Sequence, residues 1–288
     1  MWDLHIDAYS PKEMAERVER IGVTKAKLPF GHMLGLGILA GAFIAFGAEF
    51  YTFVIHDSKL SLGMTQLIGG ITFTLGLILV VIAGAELFTG NTLIVMAYVQ
   101  RKITVKDLLR NWLIVYTGNF IGAFLLVVLM YLSRQWTINH ELIGAKVILI
   151  ANTKLGYTFT VAFIRGILCN VLVTLAVWLS ISGRHVVDKI VAMLFPITAF
   201  VASGFEHSIA NMYFIPMGLF LRFNPGVVAL AEKVGGVTVN MDRLNWPGFV
   251  WYNLIPVTLG NIVGGVFLVG LAYWWVYLRG RRADEAAP

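Results

Sequence analysis

Long apolar runs separated by short polar loops dominate the pattern of this chain. The runs cover residues 30–55, 61–100, 111–133, 157–182, 186–221 and 248–278. A helix that crosses a bilayer needs roughly 20 apolar residues, because each residue adds about 1.5 Å to a hydrocarbon core about 30 Å thick. Four runs have that length, whereas the second and fifth are too long for one straight crossing. We predict that these two helices are broken inside the membrane.

The first three runs resemble the last three, which indicates an internal repeat. The motif Gly84, Glu86, Asn91 recurs at one constant offset as Gly204, Glu206, Asn211. Likewise Asn111, Gly118-Asn119 and Gly122 recur as Asn253, Gly260-Asn261 and Gly264. Because each repeat holds an odd number of crossings, the two halves have opposite orientations. The pattern predicts an all-α fold of six transmembrane helices, arranged as two inverted three-helix repeats over 30–134 and 157–278.

The repeated motif lies inside the two overlong runs, so it marks the predicted breaks. Gly84 and Gly204 can adopt the left-handed conformation that ends a helix. We predict Asn91 and Asn211 as N-caps of the short helices that follow. The glutamate of each motif is expected to accept hydrogen bonds from the unpaired N–H groups of the unwound backbone, which would offset its cost in a membrane.

Composition places the chain in lipid. Of its residues, 58% are hydrophobic and 13% are charged, and the mean hydropathy is +0.78. The formal charge of +6 comes from basic residues scattered over short loops, which argues against nucleic acid as a partner. The single Cys169 lies in an apolar run, so we expect a packing role, with no disulfide, metal site or cofactor.

The basic residues also predict orientation. Fourteen Lys or Arg residues fall in segments 1–29, 101–110, 183–189 and 279–288, and seven in the three other loops, 56–60, 134–156 and 222–247. By the positive-inside rule we expect a multi-pass protein of the inner membrane with both termini in the cytoplasm. Residues 30–278 form the predicted channel domain, and residues 279–288 a cytoplasmic tail. Residues 1–29 are expected to hold an amphipathic surface helix that begins near Ser10 and Pro11.

Candidate chemistry concentrates at the second break. His207, between Glu206 and Ser208, is the only histidine deep inside an apolar run, since His32 lies at the start of the first run. An ionisable group within a membrane is by default a candidate site, although a lone histidine is more commonly a satisfied core residue. Thr89 lies in the opposite break, where its hydroxyl is expected to point toward the same place. Lys154 precedes the fourth run as a candidate vestibule cation.

Three stretches carry a resemblance to a known family: Ala85-Glu86-Leu87-Phe88-Thr89-Gly90-Asn91, Gly166-Ile167-Leu168-Cys169-Asn170 with Ala176-Val177-Trp178, and the run from Phe205 through Glu206-His207-Ser208 to Pro216. On these residues the chain resembles the formate/nitrite transporter family over roughly 30–278. The resemblance implies a homopentamer of aquaporin-like protomers in membrane lipid. Each protomer would hold its own pore, and the central hole would conduct nothing.

The resemblance also implies roles for individual residues. The pore histidine would be His207, the loop threonine Thr89, the vestibule lysine Lys154 and the polar pore asparagine Asn170. Apolar constrictions would be Phe73 and Phe200 on the outer side, with Leu77, Phe88 and Val173 on the inner side. It implies no role for Arg165.

Energetics favour passage of a neutral acid. A bare carboxylate costs of order 20 kcal/mol to move into a medium like dry protein, whereas an uncharged polar molecule costs only a few. We therefore expect a non-enzymatic channel or transporter for small monovalent anions, most of all formate, that pass with a proton. Nitrite, hydrosulfide, acetate and lactate stay open as substrates.

Two other readings stay open. A neutral-solute channel of the aquaporin type shares inverted repeats and half-helices, but paired Asn-Pro-Ala motifs are absent. An intramembrane hydrolase would use Ser208 or Thr89 with His207 and Glu206. Ser208 directly follows His207, and adjacent side chains on a helix diverge by about 100 degrees, which disfavours that pairing.

Overall fold

The computed structural model describes residues 8–280, and every regular element among them is helical. The helices are α1 Pro11–Ala26, α2 Phe30–Ile55, α3 Leu62–Ala83, α4 Phe88–Val99, α5 Val105–Leu132, α6 Leu142–Leu155, α7 Phe159–Ser182, α8 Val186–Ala202, α9 Ser208–Leu221, α10 Pro225–Gly235 and α11 Trp246–Tyr277. The predicted amphipathic segment is α1, which begins with a capping box between Ser10 and Glu13. Residues 1–7, and residues 281–288 of the predicted tail, lie outside the described part.

Among the described residues, five helices are long and apolar enough to cross a membrane: α2, α3, α5, α7 and α11. In chain order the fifth crossing is α8, whose 17 residues reach about 25 Å, continued by α9. The second crossing likewise consists of α3 continued by the short apolar helix α4. After α9 the chain turns by 116° into α10. The predicted all-α fold with broken second and fifth helices is confirmed.

The two breaks have the same backbone geometry. α3 is followed by Gly84 at φ +82°, and α8 is followed one residue later by Gly204 at φ +67°. The residue after each glycine donates its N–H back to a carbonyl five positions earlier, Ala85 to Val80 at 2.8 Å and Phe205 to Phe200 at 3.0 Å. This is the left-handed helix ending in which glycine avoids a Cβ clash.

The helices after the breaks begin earlier than predicted. Asn91 and Asn211 are not N-caps: α4 begins at Phe88 and α9 at Ser208, so each asparagine lies in the first turn. The cap position of α9 is His207, whose ring accepts a hydrogen bond from the backbone. The asparagine side chains are instead bonded to buried side chains of the neighbouring elements, which satisfies their amides better than one backbone N–H would.

Close helix packing holds the repeats together. A Cβ at Gly122 of α5 would collide with the carbonyl oxygen of Ile38 in α2, and a Cβ at Gly264 of α11 would collide with that of Ile167 in α7. The two contacts occupy equivalent positions in the two repeats. In both, the small glycine lets the neighbouring helices approach closely, as is common in membrane proteins. The copies differ in α11, which contains π-helical turns over Phe249–Leu254 and Gly264–Leu271.

Candidate substrate pathway at the two helix breaks

One hydrogen bond joins the two breaks. Oγ1 of Thr89, at the start of α4, lies 2.9 Å from Nε2 of His207, and both side chains are buried. Nδ1 of His207 accepts a hydrogen bond from the N–H of Ala210 at 3.1 Å. An imidazole nitrogen that accepts carries no proton, so in the neutral ring the proton is on Nε2. His207 therefore donates to Thr89, and the Thr89 hydroxyl proton is left to point elsewhere.

This geometry does not suit the hydrolase reading. A general-base histidine needs its second nitrogen to donate to an orienting acceptor, whereas Nδ1 of His207 accepts. Among the described residues, Oγ of Ser208 has no hydrogen-bond partner, and its backbone N–H donates to Oδ1 of Asn261. No Ser–His pair is formed.

Aromatic rings cover the contact on one side. The ring of Phe200 lies 5.9 Å from that of His207, and Phe73 meets Phe200 edge to face at 5.5 Å. These rings and His207 border a small pocket of about 70 Å³, which we call the Lys154 pocket. It is lined by Tyr51, Phe73, Ile150, Lys154, Phe200, Val201, Gly204, Phe205, His207, Ala210, Asn211 and Phe214.

A larger cavity of about 520 Å³ lies on the other side, here called the Lys25 pocket. Leu77 and Leu87 belong to its apolar wall, and its basic residues are Arg17, Lys25, Arg184 and Lys189. Leu87 and Gly90 flank Thr89 along the chain and line this pocket, while His207 lines the other. The Thr89–His207 contact therefore lies between the two pockets.

Phe88 and Val173 are placed differently from Leu77. Phe88 contacts the rings of Trp112 and Tyr116 on α5, at 6.0 and 4.9 Å, and faces a groove between α5 and α11. Neither Phe88 nor Val173, which is fully packed in the core, lines one of the two pockets described here. Of the three side chains predicted for the inner constriction, only Leu77 borders one of the two pockets beside the Thr89–His207 contact.

Asn170 ties α7 to the first break. Its side-chain amide donates to the carbonyl of Thr89 at 3.2 Å and to that of Asn261 at 2.7 Å. These contacts fix the backbone that carries the Thr89 hydroxyl. Asn170 thus orients Thr89 and is fully buried behind it.

Each break glutamate is paired with a lysine and with the asparagine of its own motif, and Glu206 also accepts from Asn253 Nδ2 at 3.0 Å. In the second break Lys154 Nζ bonds Glu206 Oε1 at 2.8 Å, and Asn211 Nδ2 donates to Oε2 at 2.7 Å. In the first break Lys25 Nζ bonds Glu86 Oε1 at 2.9 Å. Asn91 Nδ2 donates to Oε2 of the same glutamate at 2.7 Å.

The sequence predicts that these glutamates accept hydrogen bonds from the N–H groups of the unwound backbone. That prediction is wrong, because their oxygens are bonded to lysine and asparagine side chains. Their lysine and asparagine partners offset part of the cost of burying a carboxylate. The unwound backbone is bonded instead by Asn119 and Asn261. Asn119 accepts from the N–H of Phe88 and donates to the carbonyl of Glu86, and Asn261 does the same for Ser208 and Glu206.

Lys25 is the site residue that sequence reasoning missed. It lies in α1, before the predicted start of the first repeat, and its partner position in the second repeat is Lys154 in α6. The offset that relates Gly37 to Gly166 also relates Lys25 to Lys154. The pattern Val-x-x-Ile-x-x-Thr-Lys that ends at Lys25 recurs at this offset and ends at Lys154, so a comparison of the two helices could have found the pair.

Arg165 makes two hydrogen bonds near the second break. Its guanidinium donates to the carbonyl of Gly204 at 3.1 Å and to the hydroxyl of Tyr157 at 2.6 Å. The equivalent residue of the first repeat is Leu36, which makes only the shared backbone contact, to Glu86. The second break is therefore held by one more side chain than the first.

A multi-pass bundle of two inverted repeats, with a pocket on each side of one buried polar contact, defines a membrane channel or transporter. The comparisons with known proteins narrow this class. A family model described as formate/nitrite transporter matches residues 12–275. The chain therefore belongs to the formate/nitrite transporter family.

Relatives of known name cover nearly all of the chain. Formate channel FocA of Escherichia coli K12 is 45% identical over 278 residues, 96% of this chain and 97% of the relative. A probable formate transporter of Methanothermobacter thermautotrophicus is 40% identical, covering 94% and 97%. A solved structure described as a pentameric formate channel with formate bound has a TM-score of 0.79 and 43% identity, covering 87% of this chain and 98% of that one.

Proposed function

We propose that this chain conducts formate across the membrane through a pathway in each protomer of a homopentamer. The observation that carries the proposal is the buried Thr89–His207 contact at 2.9 Å, with a lysine-lined pocket on each side of it. The relatives named as formate channels, and the pentameric one with formate bound, support the substrate and the assembly.

Lysine charge gathers the anion in this mechanism. Lys154 has one bond to Glu206, and two ammonium protons remain for a carboxylate oxygen. The rings of Phe73 and Phe200 line this pocket beside the polar contact at His207. Because dry aromatic walls exclude a bare charge far more strongly than a neutral acid, the anion takes up a proton near His207 before it passes.

Thr89 and His207 carry the permeant past the centre. The Thr89 hydroxyl proton is not used by His207, whose Nε2–H already donates to that oxygen. It is available to the carbonyl of a passing acid. Asn170 fixes the position of Thr89 by donating a hydrogen bond to the carbonyl of Thr89.

Orientation follows from charge. The side with the Lys25 pocket carries Arg17, Arg184 and Lys189 as well as Lys25, so it faces the cytoplasm. Both termini then lie in the cytoplasm, and the Lys154 pocket faces outward from the inner membrane. Residues 1–29 and 279–288 flank the channel domain on the inner side.

Uptake into proteoliposomes tests the proposal. Purified protein is reconstituted, and formate, nitrite and hydrosulfide uptake are compared at two external pH values, for wild type and His207→Ala. Formate is expected to enter fastest and to depend on pH, and that dependence is expected to disappear in His207→Ala. A different leading anion would contradict the substrate, and an unchanged variant would contradict the role of His207.

A further inference from the structure

The two asparagines of the break motif are satisfied to different degrees. In the first break, Asn91 Oδ1 accepts a hydrogen bond from Lys25 Nζ at 2.9 Å. In the second break, Asn211 Oδ1 is buried and has no hydrogen-bond partner among the described residues. A buried amide oxygen without a partner costs about 1–3 kcal/mol, so its persistence calls for an explanation.

The orientation of the Asn211 amide is determined by its neighbours. Its Nδ2 donates to Glu206 Oε2 and to Asn253 Oδ1, both at 2.7 Å. A carboxylate only accepts, and the amide of Asn253 donates to the carbonyl of Lys154, which leaves its Oδ1 as an acceptor. Oδ1 of Asn211 therefore must be the free atom.

Asn211, which carries this free oxygen, is one of the residues that line the Lys154 pocket. Asn211 lines that pocket together with Lys154 and His207, and the other lining side chains are mostly apolar or aromatic. Lys154 and Asn211 bond opposite oxygens of the same Glu206 carboxylate. The pocket thus presents a cationic donor and a neutral acceptor side by side.

We propose that Asn211 Oδ1 accepts a hydrogen bond from the O–H of a small carboxylic acid whose carbonyl oxygen is bound by Lys154. The inference rests on the proposed function. A cavity of about 70 Å³ has room for about two waters, the size of a molecule with three heavy atoms such as formic acid. A carboxylate would have no proton to give to Asn211, so this contact selects the protonated form of the permeant.

The remaining groups around the pocket do not take this role. Glu206 is occupied by Lys154, Asn211 and Asn253, and Nδ1 of His207 by Ala210. The hydroxyl of Tyr51 donates to Gln66 and so already has a partner, although its oxygen keeps acceptor lone pairs. Asn211 Oδ1 is the buried acceptor for which a bound acid would supply the missing partner, whereas the equivalent oxygen of Asn91 already accepts from Lys25.

Uptake kinetics with a matched pair of variants test the inference. Formate uptake is measured in right-side-out and in inside-out membrane vesicles while the bath pH is varied, for wild type, Asn211→Leu and Asn91→Leu. Loss of one hydrogen bond to the acid is expected to raise the half-saturating formate concentration about three- to tenfold for Asn211→Leu, in one vesicle orientation only. The pH profile then moves to lower pH by about 0.5–1 unit. Asn91→Leu disturbs the mirror network and is expected to leave the pH profile in place.

Equal pH shifts in both variants, or none in Asn211→Leu, would overturn the inference while leaving formate conduction intact. Wild-type uptake no faster than in protein-free vesicles would refute the proposed function and the inference together.

A second measurement uses the wild-type protein in case Asn211→Leu fails to assemble. Formamide has three heavy atoms, a carbonyl and an N–H donor, whereas acetonitrile has three heavy atoms and an acceptor but no N–H. Formamide is expected to inhibit formate uptake several times more strongly than acetonitrile does. Equal inhibition by the two would contradict a donor-reading contact at Asn211.

Discussion

In the Lys25 pocket the lysine bonds both Glu86 and Asn91, whereas in the Lys154 pocket the lysine bonds only Glu206. The first pocket is also much larger, at about 520 against 70 Å³. Duplication therefore supplied one scaffold twice, and the two copies then diverged in how tightly the lysine is held and how much space surrounds it. The small pocket keeps an unsatisfied acceptor, and the large one keeps additional positive charge.

The sharpest contrast should come from removing each lysine. Lys154→Met leaves Glu206, which is 1% exposed, without a cation, and is expected to lower the free energy of unfolding by about 3–5 kcal/mol. Lys25→Met is expected to cost about 1–2 kcal/mol, because the side chain of Lys25 is 28% exposed and water can reach Glu86. Thermal unfolding of the purified variants in detergent measures both.

A double variant serves as the control for that contrast. Lys154→Met combined with Glu206→Gln removes the unpaired charge, so most of the lost stability should return. If the two single lysine variants lose equal stability, the difference in exposure does not govern the two ion pairs.

The breaks were predictable because glycine is the residue that tolerates the left-handed region, and Gly84 and Gly204 both occupy it. The cap positions were not predictable from the sequence, because an asparagine near a helix start bonds either the backbone or a buried side chain. That choice depends on Glu86, Glu206 and the partner helices. It is a tertiary effect that local sequence does not carry.

The partners of the glutamates show the same limit. Lys154 was predicted as a vestibule residue, yet its bond to Glu206 depends on how α6 docks between α9 and α11. Lys25 lies in an amphipathic helix whose pattern Val-x-x-Ile-x-x-Thr-Lys recurs in α6 and ends there at Lys154, but its bond to Glu86 depends on how α1 packs against the first break. The contact between Thr89 and His207 was easier to predict from the sequence, because the two residues lie at equivalent breaks of the two repeats.

Arg165 gives a smaller test of the comparison. Arg165→Leu places in the second repeat the residue type that Leu36 has in the first, and it removes the bonds to Gly204 and Tyr157. We expect the free energy of unfolding to fall by about 2 kcal/mol, because the carbonyl of Gly204 loses its charged hydrogen-bond donor inside the membrane. Arg165→Lys should recover part of it, and Tyr157→Phe should cost less than Arg165→Leu. Wild-type stability in Arg165→Leu would show that the second break needs no additional support.

The smallest expected effect asks whether the two breaks carry equal backbone strain. A Cβ at Gly84 would meet nothing within 4 Å, and one at Gly204 would lie 3.6 Å from Arg165 Nη1, an ordinary contact. Gly84→Ala and Gly204→Ala should therefore each cost about 1 kcal/mol, since only the left-handed backbone opposes the new methyl group. Gly63→Ala in the first turn of α3, where a Cβ also meets nothing within 4 Å, should cost nothing. A much larger loss at Gly204 than at Gly84 would mean that the methyl group displaces Arg165, so that the side chain and the strained backbone at the second break act as one unit.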